Sequence, residues 1–244
     1  LRTLESDSVQ CVVTSPPYWG LRSYLPDEHP DKGRELGLES TPEEHVTAMT
    51  AVFKQVRRVL RPDGVLWLNY GDCYAHGTPG GGSVFDNGRN DGRTSYEADK
   101  ARGREKVQTI GPGLKPKDLV GMPWRIAFAL QAAGWWLRCD VIWQKPAPMP
   151  ESVTDRPTKA HEYVFLLTKS ARYYYDADAV REAHTDTHVI DGKYRNGGVN
   201  RPEYKPKTQG WNGSGTIMRD REYNPAGRNL RSVWTIPTQA FSEA

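Results

Sequence analysis

The chain has 244 residues, 37% of them hydrophobic, which is room for one large domain or one domain carrying an insertion. A mean hydropathy of −0.72 implies wide polar surfaces or loops; no run approaches the ~18 apolar residues of a membrane helix, and no secretory signal is visible, which argues against a membrane-spanning class. The net charge of +3 is unevenly placed: residues 193–231 hold nine Lys/Arg against three Asp/Glu and residues 77–117 eight against five, the footprint of a surface facing nucleic acid.

Val9-Gln10-Cys11-Val12-Val13 predicts a first strand, followed by the loop Thr14-Ser15-Pro16-Pro17-Tyr18-Trp19-Gly20. Thr41 as N-cap, Pro42 at the first helical position and Glu44 completing a capping box open a helix. Val46, Met49, Phe53, Val56 and Leu60 give it one apolar face. Arg57, Arg58 and Arg61 suit its C-terminal dipole, and Pro62-Asp63-Gly64 stops it and turns the chain. Val65-Leu66-Trp67-Leu68-Asn69 reads as a buried strand ending at Tyr70-Gly71-Asp72, so these elements form a parallel crossover unit.

Residues 77–113, with nine glycines and no period, predict a long flexible loop, a candidate lid. A second helix is expected from Asp118 to Ala133, capped by Gly134. Trp135 to Trp143 follows as a strand and Gln144-Lys145-Pro146-Ala147-Pro148-Met149-Pro150 as a proline-stiffened loop. Glu162 to Thr168 is the next strand, Lys169-Ser170 a tight turn, and Ala171 to Asp176 its antiparallel partner in an edge hairpin. Residues 177–233 lose periodicity and mix Arg, Asn, Lys and aromatics, as a DNA-reading insertion would. The predicted organisation is thus an α/β catalytic region over 1–176, an insertion over 177–233 and a return segment over 234–244. Cys11, Cys73 and Cys139 are far apart in or beside predicted strands and read as buried free thiols of a reducing compartment. The His184/His188 pair has no third ligand, so no metal site is expected.

The heptapeptide carries the most chemistry. Two adjacent prolines remove two backbone donors and fix φ, and each residue before a proline is pushed to extended geometry. The loop is stiff and donor-poor, and it sits at the carboxyl end of a strand, where α/β sheets collect ligands. Ser15 adds a side-chain acceptor beside the Pro16 carbonyl, and Tyr18 offers a stacking face. Two acceptors and a ring suit a planar base bearing an exocyclic amine, swung out of its duplex.

Thr14-Ser15-Pro16-Pro17-Tyr18 resembles the catalytic motif of DNA amino-methyltransferases, which move a methyl group from S-adenosylmethionine to N4 of cytosine or N6 of adenine. A serine in the variable position resembles mainly the cytosine enzymes, which ranks the two bases without deciding between them. Gly64 to Asp72, Trp143 to Pro150, Asp155-Arg156-Pro157 and His161-Glu162-Tyr163 are also similar to later segments of the family. The order resembles that of its permuted β-class, with 177–233 in the place of a target-recognition region. The resemblance implies a Rossmann-like, mostly parallel methyltransferase sheet and duplex DNA as partner. It also implies a cytoplasmic, prokaryotic or phage-encoded setting, a monomer, and a paired restriction endonuclease.

It implies site roles as well. Ser15, Pro16, Pro17 and Tyr18 would be catalytic. Trp19, Arg22, Lys145, Arg156 and His161 would meet the flipped base or DNA, although a packed Trp19 is equally consistent. Thr14 and Asp72 would approach the cofactor, with a turn-capping role open for Asp72. No cysteine nucleophile is needed, which leaves Cys11 in the core. One departure is large: the family's glycine-rich Asp-Pro-Phe-x-Gly-x-Gly cofactor loop does not occur, and Gly80-Gly81-Gly82 follows no acidic-proline strand end. With Leu1 in first place, the expectation is an incomplete fold, truncated at both ends, with weak or no cofactor binding in isolation. Other readings remain: a methyltransferase of RNA or of a glutamine side chain, which the basic insertion disfavours, and a non-catalytic DNA-binding protein derived from this fold.

Overall fold

The computed structural model describes residues 1–75, 113–183, 189–190, 193–194 and 226–238. Almost all of the expected lid, most of the expected insertion and the His184/His188 pair lie outside these residues. The chain divides into two compact units, one of Leu1–Tyr174 with Ser232–Ala244 and one of Tyr175–Arg231.

The first unit is built on a five-stranded sheet. Strand β1 spans Val9–Thr14, helix α1 Pro42–Val59, strand β2 Leu60–Tyr70, helix α2 Met122–Ala132, strand β3 Trp136–Gln144, strand β4 His161–Thr168 and strand β7 Val233–Thr235. The spatial order is β1-β2-β4-β3-β7. β1 runs parallel to β2 and β7 parallel to β3, while β4 runs antiparallel to both β2 and β3. Four strands therefore share one direction and the reversed one lies inside the sheet.

That placement corrects the expected edge hairpin. Lys169-Ser170 is a turn, but residues 171–176 form no strand. β4 is apolar on both faces, as a central strand must be, and β2 and β3 already take both its hydrogen-bonding edges. Beyond the turn the chain leaves the sheet: Ser170 Oγ donates to Pro62 O at 2.8 Å and Tyr174 N to Asp63 O at 3.0 Å. Pro62-Asp63-Gly64, read as a turn, lies instead in a bulge of β2, since Val9 pairs with Leu60 but Cys11 with Val65.

α1 forms as its sequence requires. Thr41 Oγ1 accepts from Glu44 N at 3.2 Å, and Pro42 occupies the first turn. The reciprocal half of the capping box is displaced by one residue, Glu44 accepting from Ser40 N. Met49, Phe53 and Val56 enter one core cluster with Leu66, Leu68, Tyr70, Phe165 and Leu167 of the sheet and Met122, Ile126 and Leu130 of α2. Both helices thus cover the same sheet face, and each large side chain sunk there contributes about 1.5–3 kcal/mol. α2 starts at Met122, not Asp118, because Pro123 belongs in a first helical turn.

Strand alternation sends Val12 toward this core and Cys11 and Val13 to the opposite face, where Val13 is 77% exposed. Cys11 is also exposed, which corrects its placement in the core; Cys73 and Cys139 are partly buried. In the second unit, Glu182 accepts from Arg228 Nε and Arg231 Nε, each at 3.0 Å. β5 (Val189–Ile190) and β6 (Lys193–Tyr194) form a short antiparallel pair.

Candidate active site

Parallel pairing of β1 with β2 sets Thr14 opposite Leu68, so the loop after Thr14 runs beside Asn69, Tyr70 and Gly71. The reversed strand β4 brings its first residues to the same rim, with Tyr163 opposite Tyr70 and Glu162 opposite Trp143. One edge of the sheet thereby collects the carboxyl ends of three strands and the amino end of a fourth, the crevice where α/β sheets place ligands.

Tyr18 is the centre of this rim. Its hydroxyl lies 2.8 Å from Asn69 Oδ1 and 2.9 Å from Glu162 Oε2, and it accepts from the Ser15 hydroxyl at 3.1 Å. Asn69 Nδ2 donates to Glu162 Oε2 at 3.2 Å and to Tyr163 O at 3.1 Å. Lys145 Nζ pairs with Glu162 Oε1 and lies 4.9 Å from the centre of the Trp143 ring. Burial pushes the Glu162 carboxyl up, but the hydrogen bond and charge of Lys145, with the bonds from Tyr18 and Asn69, outweigh it and hold Glu162 below the ordinary carboxylate value. Burial, and then the Glu162 charge, push the Tyr18 phenol well above its ordinary value. Gly71 lies under the Tyr18 ring: a Cβ there would come within 2.6 Å of Tyr18 Cε2.

A second network holds the loop from the core side. Tyr70 Oη accepts from Trp19 N at 2.9 Å and lies 3.3 Å from Pro17 O and 2.6 Å from His45 Nε2. His45 Nδ1 meets Glu39 Oε2 at 2.7 Å, and Trp19 Nε1 donates to Glu39 O at 2.8 Å. Burial lowers the His45 pKa, against the opposing hydrogen bond and charge of Glu39. A neutral ring with its proton on Nδ1, toward the carboxylate, accepts from Tyr70 at Nε2. The Tyr18 and Tyr70 rings lie 4.6 Å apart, which joins the two networks.

Of the residues read from sequence, Ser15, Tyr18 and Lys145 are brought together here, and Pro16 and Pro17 form the loop between them. Trp19 is 1% exposed, in the core and unable to stack on a ligand, which corrects its reading as a base contact. Asp72 is corrected too: its Oδ1 accepts from the N–H groups of Cys73, Gly121 and Met122. A carboxylate beside a helix N-terminus answers unpaired backbone donors, and Asp72 caps α2 with a side chain only 2% exposed. Arg156 is engaged by Glu151 at 2.6 Å and covers the Tyr74 ring at 3.9 Å. His161 stands edge-on to Tyr163 at 5.4 Å. Arg22 is exposed on the loop beyond the motif, and Thr14 is half-buried at the end of β1. Sequence reasoning gave no role to Asn69, Tyr70, Gly71, His45 or Glu162. The signal available for Glu162 was a carboxylate opening an otherwise apolar strand.

The class that fold and site define is an α/β protein with a mixed sheet and a stiff, proline-locked loop at its ligand-collecting rim. The chain matches the family model N6_N4_Mtase, described as DNA methylase, over residues 9–243, and it belongs to that DNA methylase family. It is 48% identical over 186 residues to the type II methyltransferase M.Cfr9I of Citrobacter freundii, an alignment covering 75% of this chain and 55% of that protein. Against the type II methyltransferase M.XycI of Xanthomonas campestris pv. cyanopsidis it is 47% identical, covering 100% of this chain and 63% of the relative. The chain therefore spans less than two thirds of the length of these relatives. Among solved structures, the PvuII DNA methyltransferase (cytosine-N4-specific) aligns at 14% identity and a TM-score of 0.45, over 77% of this chain and 56% of that one.

Proposed function

We propose that the protein carrying this chain transfers a methyl group from S-adenosylmethionine to the exocyclic amine of a base flipped out of duplex DNA, with N4 of cytosine as the acceptor. The observation that carries this reading is the Ser15-Pro16-Pro17-Tyr18 loop, locked at the sheet rim in a chain that belongs to the DNA methylase family. The serine in the variable position favours cytosine over adenine, whose N6 amine is the second reading.

An exocyclic amine is a weak nucleophile because its lone pair is delocalised into the ring. If Ser15 Oγ and the Pro16 carbonyl each accept one amine hydrogen, the nitrogen can pyramidalise and free its lone pair. Both hydrogen bonds strengthen as positive charge grows on that nitrogen, so they stabilise the transition state more than the ground state. S-adenosylmethionine supplies the electrophilic methyl. Thr14 remains the residue proposed to approach it, since Asp72, the other residue read toward the cofactor, caps α2. Tyr18, Lys145, Arg22, Arg156 and His161 are proposed to hold the base and its flanking phosphates, and residues 177–233 to read the target sequence. We take the protein to be a monomer that modifies DNA in the cytoplasm, and the relatives' designation as type II methyltransferases supports a paired restriction endonuclease.

The test is incubation of the natively expressed protein with isotopically labelled S-adenosylmethionine and duplex DNA, with mass spectrometry of the released nucleosides. Labelled N4-methylcytosine is expected. Labelled N6-methyladenine selects the second reading, and absence of label in any nucleoside leaves a DNA-binding role without catalysis.

A further inference from the structure

A serine hydroxyl can point its proton at a ligand or its lone pairs, and only the second accepts an amine hydrogen. The groups behind Ser15 decide between these. Asn69 spends both amide hydrogens, on Tyr163 O and on Glu162 Oε2, which fixes its Oδ1 as an acceptor toward Tyr18. Glu162 Oε2 is an acceptor too, and an ionised carboxylate can be nothing else. The single proton of Tyr18 thus faces two acceptors, at 2.8 and 2.9 Å, and points inward toward them. What Tyr18 Oη presents to Ser15 is a lone pair, so the 3.1 Å contact is filled by the Ser15 proton. With its proton turned inward, exposed Ser15 keeps its lone pairs for the outer side.

We propose that Glu162 is a positioning residue: through Tyr18, with Asn69 as its brace, it holds the Ser15 hydroxyl in the acceptor sense that a base amine requires. The inference rests on the proposed amino-methyltransferase reading and adds to it a residue that touches neither base nor methyl donor. Lys145 serves the same end from behind. Its ammonium on Glu162 Oε1 keeps the carboxylate ionised and aims Oε2 at Tyr18. A purely structural role, an ion pair tying β3 to β4, is the competing account.

Glu162→Gln separates the two accounts. Lys145 draws the amide oxygen to itself, so the amide nitrogen faces Tyr18 and Asn69, and one of the two acceptors that hold the Tyr18 proton inward becomes a competing donor at nearly unchanged volume. Single-turnover methylation by the natively expressed protein should slow by about ten- to a hundredfold, less than the ~10²–10³ of a partner that itself touches the reacting centre. DNA affinity and melting temperature should hold to within about twofold and a few degrees respectively. In a Tyr18→Phe background, where the relay is already cut, Glu162→Gln should add nothing, and likewise in Ser15→Ala. Tyr18→Phe keeps the test decisive should Glu162→Gln fail to fold, because its own rate loss must vanish in Ser15→Ala. Rate losses that multiply in these double variants, or an unslowed Glu162→Gln, overturn the relay while leaving Ser15 in place. A wild type without methylation, or a Ser15→Ala protein of full rate, overturns the reading beneath it and the relay with it.

Discussion

The Ser15-Pro16-Pro17-Tyr18 loop is held from two sides by two tyrosine-centred networks that differ in kind. On the rim, Tyr18 belongs to a partly buried cluster with a carboxylate, an ammonium and an amide. On the core side, Tyr70 belongs to a sealed cluster with His45, Glu39 and the backbone of Trp19. The first network is the one proposed to orient hydroxyl protons; the second fixes where the loop lies. Changes on the core side should register as stability and changes on the rim as rate, because the rim is the side proposed to face the base.

The largest test of that division is Trp19→Ala. Trp19 is 1% exposed and donates to Glu39 O at 2.8 Å, so truncation opens a cavity and orphans a partly buried acceptor. Denaturant unfolding should show about 3–5 kcal/mol of lost stability. A variant as stable as wild type would remove Trp19 from the scaffold. On the rim, Ser15→Ala deletes one exposed hydroxyl. Methylation should fall by the equivalent of about 3–4 kcal/mol in the barrier with the unfolding midpoint unchanged. A destabilised Ser15→Ala would blur the division. Gly71→Ala tests the seam: the new methyl meets the Tyr18 ring at 2.6 Å, and overpacking costs about 1–3 kcal/mol. Here rate and stability should both fall, because Gly71 sits between the networks.

The same contrast explains what the sequence disclosed. The stiff loop was legible because proline acts on its own residue and the one before it, and α1 was legible because capping and its apolar face lie within a few residues. The partners of Tyr18 were not, since Asn69 is 51 positions away and Glu162 144. No local pattern marks such a pair. The edge hairpin misread the chain for the same reason: a two-residue link looks like a hairpin until β2 and β3 occupy both edges of β4. Asp72 looked like a ligand contact because the helix end it caps begins 49 residues later.

The smallest effect belongs to His45, and it carries a sign. His45 is fully buried, faced by Glu39 and Tyr70, and burial lowers its pKa from 6.5 despite Glu39. In the unfolded chain the same imidazole takes up a proton as pH falls through its ordinary value. The folded protein takes it up only at lower pH, so between the two the unfolded state binds more protons. Stability is therefore full above pH 6.5 and declines as pH falls below it, until the folded ring also protonates, with a slope of at most about 1.4 kcal/mol per pH unit for one proton. His161, also lowered by burial and by Lys159, adds a decline of the same sign, so the measurement must be a difference. His45→Gln keeps a donor for Glu39 and an acceptor for Tyr70 but cannot titrate. Urea unfolding of both proteins across the mildly acidic range should give a shallower pH dependence for the variant. Parallel curves would place the titrating group elsewhere and leave the core-side network without a protonation state of its own.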